Sequence, residues 1–403
     1  MVKCRLCSSA RMCSIIPLGE MPLANALLSS KHHTQETVYN LEVMLCQDCG
    51  LAQLRDLVAP EDLFSEYVYF SSNADTMLKS VKDLADRIIP SLPSDAFVVE
   101  IASNDGYLLR NYVSHGINVL GIDPARNVAE VARERGVPTL CDFFNENLAD
   151  KLIAEGKKAD IIHANNVMAH VPDLNSFIAG IKKLLKQKGQ AIIEVPHFLD
   201  LVQKLEFDTI YHEHVFYFGL KPLQTAFRNH GLDIFNVDKI DIHGGTLRLF
   251  IAHSGIFDIG NIVSCLIAEE EQFGLYEVQT YKVFMKRLFE LKEQTHKTLT
   301  LIKEKNLKIA GYGASAKGTT LLNFFNIGDY IEFVVDKSAV KQGLYTPGTH
   351  LEIKKPEAIY QEGINFALLL AWNFAKEIMD QQKAFIDRGG KFIIPLPEVK
   401  ITP

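Results

Sequence analysis

The chain has 403 residues, of which 47% are hydrophobic and 23% are charged, and its formal net charge is −7. This length predicts two to three domains, and the composition is typical of a globular protein in water. The acidic balance argues against nucleic acid as a general partner, and the apolar runs are too short to span a bilayer, so we expect neither nucleic acid nor membrane as a partner. Seven cysteines without an apolar export signal predict a reducing cytoplasm and no disulfide framework.

Two CxxC pairs lie near the start of the chain, Cys4 with Cys7 and Cys46 with Cys49. Each pair places two thiolates for one metal ion, and the two pairs together complete the tetrahedral set that zinc requires. Because four cysteine ligands leave no open position, this zinc is expected to fold its domain and to do no chemistry. A redox-active CxxC is the alternative, but it would not need a second pair. The long segment between the pairs predicts an inserted loop or hairpin.

An apolar strand that begins at Phe97 runs into a turn, in the sequence FVVEIASNDG. This turn resembles the first motif of the Rossmann-like methyltransferases that use S-adenosylmethionine (SAM), with Glu100 at its acidic position. Two of the motif's glycines are replaced by Ala102 and Asn104, and Gly106 remains. Small residues let a cofactor approach the backbone closely, which Ala and Asn tolerate less well than Gly.

Three later strands end in polar residues that suit the same cofactor. Asp123 follows the second strand, where a carboxylate can accept hydrogen bonds from two ribose hydroxyls, and Asp142 follows the third, where it could meet the adenine amine. Asn165 ends the fourth strand, and His170 lies just beyond it. Ligands of open α/β sheets bind at the carboxyl ends of the strands, so these residues predict a SAM-binding domain. A Rossmann-like domain with an altered site is the alternative.

The run FDTIYHEHVFYFG places Tyr211, His212, Glu213 and His214 next to one another. It offers a general base, an orienting acid and a phenol within a few residues. On an extended strand Glu213 would point away from the neighbouring histidines, so it would serve His170 or a substrate instead. The spacing does not decide which histidine is the base, and a surface turn with incidental histidines is the alternative.

The segment HGGTLR holds His243 and Arg248 around two glycines, whose exposed amides would suit a phosphate or a sugar oxygen. A β-turn with a surface arginine is the alternative. Residues 262–305 are polar and have helical periodicity, which predicts one connecting helix.

A second strand–glycine loop–helix unit begins at KIAGYGASAKG, which contains Gly313 and Lys317, and Asp336 ends the strand that follows. This pattern predicts a phosphate-bearing ligand on the helix N-terminus. On spacing alone it is a better nicotinamide fingerprint than the loop after Phe97, and it does not identify the ligand, so an NAD-dependent oxidoreductase of a nucleotide sugar is the alternative function. Trp372 follows a later strand of this small parallel sheet and is expected to face the ligand edge.

The order of these motifs resembles that of the sugar C-methyltransferases of deoxysugar biosynthesis, which methylate C-3 of nucleotide-linked 4-keto-6-deoxyhexoses. MPLAN, YVYFSS, HANNVMAHVPDL, EVPHF and AWNF add to the resemblance. It implies an α/β fold in which a Rossmann-like SAM methyltransferase domain is flanked by a small N-terminal zinc-binding domain and a C-terminal Rossmann-like domain. The implied parts are a zinc-binding domain that covers the substrate (1–75), a SAM-binding domain (76–205), a catalytic segment with a connecting helix (206–305) and a nucleotide-sugar-binding domain (306–403).

The resemblance also implies the chemistry and the residues that carry it. SAM and structural zinc are the expected cofactors, a nucleotide-diphosphate sugar is the expected substrate, and the protein is expected to be a monomer or a weak homodimer. His214 is expected to form an enolate of the sugar as the base, supported by Tyr211, Glu213, His170 and Tyr69. The residues expected to bind the substrate are Asn25, His243, Arg248, Gly313, Ser315, Lys317, Asp336 and Trp372.

Overall fold

The structure is a computed structural model that describes residues 2–30, 36–59, 63, 71–73, 75–242 and 244–402. Its strands are β1 Met12–Pro22, β2 Val38–Cys46, β3 Ala52–Leu54, β4 Phe97–Ile101, β5 Asn118–Ile122, β6 Thr139–Leu140, β7 Ala159–Asn165, β8 Leu185–Pro196, β9 Phe216–Tyr217, β10 Leu232–Ile240, β11 Thr246–His253, β12 Ile309–Tyr312, β13 Val334–Val335, β14 Ile353–Lys354, β15 Phe366–Leu369, β16 Lys391–Ile394 and β17 Lys400–Thr402.

The α-helices of the described residues lie between these strands in the sequence. They are α1 Asp75–Ile88, α2 Leu109–Val113, α3 Arg126–Glu134, α4 Glu146–Ala154, α5 Leu174–Leu184, α6 Phe198–Gln203, α7 Leu220–Asn229, α8 Asn261–Phe273, α9 Val278–Lys303, α10 Ala316–Phe325, α11 Ala358–Gln361, α12 Ala375–Gln381 and α13 Lys383–Asp387. Within the described ranges, none of these helices combines the length and the apolar character needed to cross a bilayer.

The first sheet is antiparallel and has the strand order β1-β2-β3-β9. The long hairpin of β1 and β2 pairs Met12 with Cys46 at one end, which brings the second CxxC pair back towards the first and confirms the expected hairpin. Strand β9 joins by pairing Ala52 with Tyr217. The N-terminal sheet is therefore completed by residues that follow the YHEH run in the sequence.

The second sheet has seven strands in the order β10-β11-β8-β7-β4-β5-β6. Strands β4 to β8 are parallel, and β11 and β10 add to one edge as an antiparallel hairpin. The central strands are buried, with residues such as Val99 and Ile162 fully inaccessible, as expected of a parallel sheet covered by helices on both faces. This sheet confirms the expected Rossmann-like middle domain.

The third sheet has six strands in the order β14-β13-β12-β15-β16-β17. Its first five strands are parallel, and β17 is antiparallel to β16. The predicted small parallel sheet is thus correct except for its last strand, which the sequence analysis did not predict.

The prediction of one connecting helix over residues 262–305 is wrong, because two helices, α8 and α9, occupy this segment. Gly274 ends α8 with a φ of 80°, a left-handed conformation that closes a helix C-terminus. Helix α9 buries Leu288 in a core that also contains Ile16 of the first sheet and Leu368 of the third. The helix and the N-terminal and C-terminal sheets therefore share one hydrophobic core.

Candidate active site

The loop after β4 keeps the shape of a glycine-rich motif although two glycines are missing. Ala102, Asn104 and Gly106 all have positive φ, at 56°, 48° and 77°. Asn104 is fixed on both sides, because its amide donates to Asp123 Oδ2 at 2.8 Å and its Oδ1 accepts from the Ser71 amide at 3.0 Å. At Asn104 these two hydrogen bonds hold the left-handed backbone in place of a glycine.

Gly106 cannot be replaced in the same way, since a Cβ atom there would lie 2.8 Å from Val137 Cγ2.

Asp123 and Asn165 lie at the carboxyl edge of the middle sheet. Both Asp123 oxygens accept backbone hydrogen bonds, from Asn104 at 2.8 Å and from Ala125 at 2.9 Å, and burial raises the pKa of this carboxyl to about 6. Asn165 is 7% exposed, and neither side-chain amide atom has a hydrogen-bond partner among the described residues. Buried polar atoms are normally paired, so this amide fits a polar ligand such as SAM.

The other two expected cofactor residues differ in burial. Glu100 is fully buried, and burial followed by the charges of Asp123 and Asp105 raises its pKa well above the usual value. Asp142 is exposed beside the end of β6, and its Oδ1 accepts from the Phe143 amide at 2.8 Å. Burial thus disfavours the charged form of Glu100, whereas Asp142 is open to solvent.

The YHEH run forms a turn and not the extended strand that was considered, since the His214 amide donates to the Tyr211 carbonyl at 2.9 Å. His214 Nδ1 lies 2.7 Å from the Thr209 carbonyl oxygen. Because a carbonyl can only accept, Nδ1 carries a hydrogen, and Nε2 is hydrogen-bonded to the Tyr211 hydroxyl at 2.9 Å. The imidazole is therefore oriented with Nδ1 towards the Thr209 carbonyl and Nε2 towards the phenol.

His170 completes this cluster, with its ring 4.8 Å from the ring of His214 at an angle of 64°. Burial lowers its pKa to about 4, although hydrogen bonds to the backbone of Glu213 and Asn166 oppose the shift. His170 is consequently neutral at neutral pH and can act there as a hydrogen-bonding group without adding charge.

Glu213 is tied to the N-terminal domain through Asn25, which was expected to bind substrate. The side-chain amide nitrogen of Asn25, Nδ2, donates a hydrogen bond to Glu213 Oε1 at 2.6 Å. Burial raises the pKa of Glu213 to about 7, and the Asn25 hydrogen bond opposes that rise. The MPLAN and YHEH segments therefore meet at this carboxyl.

His212 faces another way, because its Nε2 contacts the Tyr39 carbonyl oxygen at 3.3 Å in β2. Burial lowers its pKa. Of the two histidines that spacing could not separate, His214 is the one that contacts Tyr211 and His170.

The structure does not bring every expected residue to the site. Tyr69 and His243 lie outside the described residues. Arg248 is buried in β11, where its Nε donates to Glu194 Oε1 at 2.7 Å and its Nη2 to Ser80 Oγ at 3.1 Å. The surface-arginine alternative is therefore wrong, and a role of Arg248 in phosphate binding has no support in these contacts.

The C-terminal glycine loop repeats the arrangement of the middle domain. Gly313 has a φ of 96°, and a Cβ atom there would lie 2.8 Å from the Ala371 side chain. Asp336 accepts from the amides of Ala314 and Ser338, both at 2.8 Å, as Asp123 does in its own loop. Ser315 caps α10 by accepting from the Gly318 amide at 3.1 Å, which leaves a helix N-terminus suited to an anion.

Lys317 and Trp372 meet beside this loop, with the lysine Nζ 4.9 Å from the centre of the indole. The indole Nε1 donates to Oδ2 of Asp208 at 2.6 Å. Asp208 is fully buried and was missed by the sequence analysis, although it lies three residues before Tyr211 in the quoted run. No local pattern marked it, because its partner is 164 positions away.

The four cysteines expected to bind zinc form one cluster. Their Sγ atoms all lie within 4.8 Å of one another, with Cys4 to Cys49 and Cys7 to Cys46 each at 3.6 Å. Tetrahedral zinc with sulfur bonds near 2.3 Å needs sulfur atoms about 3.8 Å apart. These cysteines therefore fit a structural zinc ion.

The sheet order, the left-handed loop after β4 and the acid after the next strand define the class of the protein as a SAM-dependent methyltransferase. Three family models match consecutive parts of the chain: a zinc binding domain at residues 4–64, a methyltransferase domain at 73–237 and a C-methyltransferase C-terminal domain at 241–397. C-methyltransferase NovU of Streptomyces niveus is 34% identical over 404 residues, which covers 99% of this chain and 96% of NovU. The chain therefore belongs to this family of C-methyltransferases and is a SAM-dependent C-methyltransferase.

Other likenesses cover smaller parts. A ubiquinone biosynthesis O-methyltransferase of Bartonella bacilliformis is 33% identical over 97 residues, 24% of this chain and 39% of that protein. Magnesium protoporphyrin IX methyltransferase from Synechocystis PCC 6803, solved with bound SAM, is 14% identical with a TM-score of 0.34 and covers 44% of this chain and 78% of that one. The expected cofactors, SAM and structural zinc, are confirmed, and the NAD-dependent alternative has no support in these likenesses.

Proposed function

We propose that the protein methylates C-3 of a nucleotide-linked 4-keto-6-deoxyhexose, with His214 as the base. The observation that carries this proposal is the tautomer of His214, whose Nδ1 is committed to the Thr209 carbonyl while Nε2 faces the Tyr211 hydroxyl. Methylation at carbon needs a carbanion, and a neutral imidazole with one basic nitrogen is suited to withdraw the proton that creates it.

The keto group makes this proton removable. A C–H bond next to a ketone is acidic because the resulting electron pair spreads onto the carbonyl oxygen. In this proposal the substrate displaces the Tyr211 hydroxyl from His214 Nε2, which takes the C-3 proton, and the freed hydroxyl donates to the enolate oxygen as negative charge develops there. An unperturbed imidazole has a pKa of about 6.5, which suits a base near neutral pH.

SAM supplies an electrophilic methyl group when it is bound. The residues of this chain that would hold it are Asp123, Asn165 and the loop from Ala102 to Gly106, all at the carboxyl edge of the middle sheet. His170 follows β7 at the same edge and contacts His214. The base and the cofactor site therefore share one edge of the sheet, which is the placement that methyl transfer to a carbanion requires.

The nucleotide diphosphate would lie on the C-terminal domain. The N-terminus of α10, capped by Ser315, offers backbone amides to phosphate, and Lys317 adds a positive charge beside them. The indole of Trp372 borders the same place.

Hydrogen exchange tests this function directly. The protein is incubated in deuterated water with a nucleotide-linked 4-keto-6-deoxyhexose and without SAM, and we expect deuterium to enter at C-3. With SAM added, we expect one methyl group on C-3, located by NMR. A methyl group or deuterium at a different carbon would refute the proposed position. As a control for folding and handling, the variant His115→Gln, which changes an exposed histidine, should give the same result as the wild type.

Isothermal titration then separates the two cofactor assignments. We expect SAM to bind to the protein and NADH to show no binding. Binding of NADH without binding of SAM would return the C-terminal glycine loop to the oxidoreductase alternative.

A further inference from the structure

The three-residue turn Phe207–Thr209, a single turn of 3₁₀ helix, contacts both the C-terminal domain and the catalytic histidine. The ring of Phe207 stacks on Phe325 of α10, with centroids 4.9 Å apart and an angle of 23° between the rings. The Thr209 carbonyl accepts the hydrogen bond from His214 Nδ1 at 2.7 Å. The helix that begins at the expected phosphate site therefore supports the turn that fixes the His214 tautomer.

Asp208 lies between these two contacts and is itself bound to the C-terminal domain. Its Oδ2 accepts from the Trp372 indole at 2.6 Å, and the same indole lies under the Lys317 ammonium group at 4.9 Å. The carboxyl is fully buried, and burial raises its pKa to about 6, whereas Lys317 and the indole hydrogen bond favour the charged form. If the indole hydrogen bond were lost, the buried Asp208 carboxylate would lack one hydrogen-bond donor. Leaving it unpaired costs free energy, and a movement of the three-residue turn would reduce that cost.

We propose that Asp208 is a positioning residue that links occupancy of the C-terminal ligand loop to the orientation and tautomer of His214. The link runs from Lys317 and Trp372 through Asp208 to the Thr209 carbonyl. This inference rests on the proposed function, in which an anionic nucleotide diphosphate binds beside Lys317. A bound anion fixes the position of the Trp372 indole, and the indole fixes Asp208 through its hydrogen bond. The Thr209 carbonyl then keeps the hydrogen on Nδ1 of His214, so that Nε2 of His214 stays basic.

The first arm of the test uses the unmodified protein. Trp372 is the only tryptophan of the chain, so its fluorescence reports on this place alone. The protein, labelled with ¹⁵N in its histidines, is titrated with uridine diphosphate and separately with thymidine diphosphate. We expect the Trp372 emission to change together with the ¹⁵N resonances of His214, which should sharpen as the Nδ1–H form. A change of Trp372 emission while the His214 resonances stay constant would overturn the link.

The second arm uses Trp372→Phe, which keeps an aromatic ring under Lys317 but removes the donor, and Asp208→Asn, which keeps the shape but removes the charge. Tyr330→Phe is the matched control, because its hydroxyl contacts only His296 and Thr300 in the described part of the chain. In both test variants we expect the His214 resonances to shift towards a mixture of tautomers and kcat to fall about ten- to hundredfold, as a displacement of about 1 Å would cause. The Kd for SAM should change less than threefold in both variants, and the KM for the nucleotide sugar should do so in Asp208→Asn, since Trp372 itself borders the expected ligand site.

Unchanged His214 resonances in two folded variants would refute the role of Asp208. The NMR readout needs no turnover, so it decides the inference even if the wild-type protein fails to methylate the proposed sugar. Failure of methylation with a normal tautomer response would refute the proposed substrate and leave the positioning role standing.

Discussion

The Asn25 carboxamide donates a 2.6 Å hydrogen bond to the Glu213 carboxyl, across 188 positions of sequence. This bond joins the N-terminal domain to the turn that carries His214. Glu213 is 4% exposed, and burial raises its pKa to about 7. A group that titrates near neutrality at the contact between two domains makes the stability of that contact depend on pH.

Glu213→Gln should change the pH dependence of stability. The pKa of Glu213 is about 7 in the folded chain and near its ordinary value of 4.5 when unfolded, so the folded state binds the proton more tightly. The stability that this group contributes is complete below pH 4.5 and is lost as the pH rises through about 7. We expect the decrease in unfolding free energy between pH 5 and pH 8 to be smaller in the variant, by on the order of 2–3 kcal/mol.

Urea unfolding at the two pH values measures this difference, with Glu20→Gln on the exposed surface of β1 as the control. Parallel pH curves for the wild type and Glu213→Gln would show that Glu213 has no raised pKa.

His214→Ala should remove catalysis and leave cofactor binding intact. Loss of a general base typically costs about 10²- to 10⁴-fold in rate. His212→Ala removes a contact to the Tyr39 carbonyl, so its kcat should fall less than tenfold. Steady-state kinetics and isothermal titration with SAM measure both effects. If His214→Ala also abolished SAM binding, the role of this histidine would be structural.

Gly106→Ala should damage the SAM loop far more than Gly116→Ala, although both glycines have positive φ, at 77° and 73°. The new Cβ at position 106 would lie 2.8 Å from Val137, whereas nothing lies within 4 Å of one at position 116. A left-handed non-glycine residue costs roughly 1–2 kcal/mol, which is the full effect expected at position 116. At position 106 we expect that cost plus the clash, and at least tenfold weaker SAM binding. Equal unfolding midpoints for the two variants would contradict the tight packing against Val137.

Removal of the metal should unfold the N-terminal domain. Cys46→Ser takes one ligand from the four-cysteine cluster, whereas Cys265→Ser changes an exposed cysteine of α8. We expect Cys46→Ser to lose bound zinc and to become sensitive to protease before residue 75, because structural zinc contributes directly to folding. Metal analysis and limited proteolysis measure this. A zinc-free protein that stays folded and active would exclude the structural role.

Features that depend on neighbouring residues could be predicted from the sequence. The apolar strand predicted to begin at Phe97 does begin there, as β4, because its run of apolar residues is local. The CxxC pairs needed only their spacing to indicate one metal site. The break at Gly274 was missed because the polar helical pattern continues across it, and one left-handed residue suffices to end a helix.

Contacts between distant segments could not be predicted. Asn25 with Glu213 and Trp372 with Asp208 are fixed by how three sheets pack, and no spacing within one segment encodes them. Arg248 shows the same limit, since its position beside two glycines suggested a ligand while its partner, Glu194, lies on the neighbouring strand of the sheet.

Strand β9 has a consequence for how this chain can be divided. Because Phe216 and Tyr217 pair with Gln53 and Ala52, a fragment that stops at residue 75 would expose the unpaired edge of β3. Such a fragment would be prone to self-association even with its zinc in place. Chimaeras that exchange the first domain between relatives would have to exchange this short strand as well, although it lies in the middle of the gene.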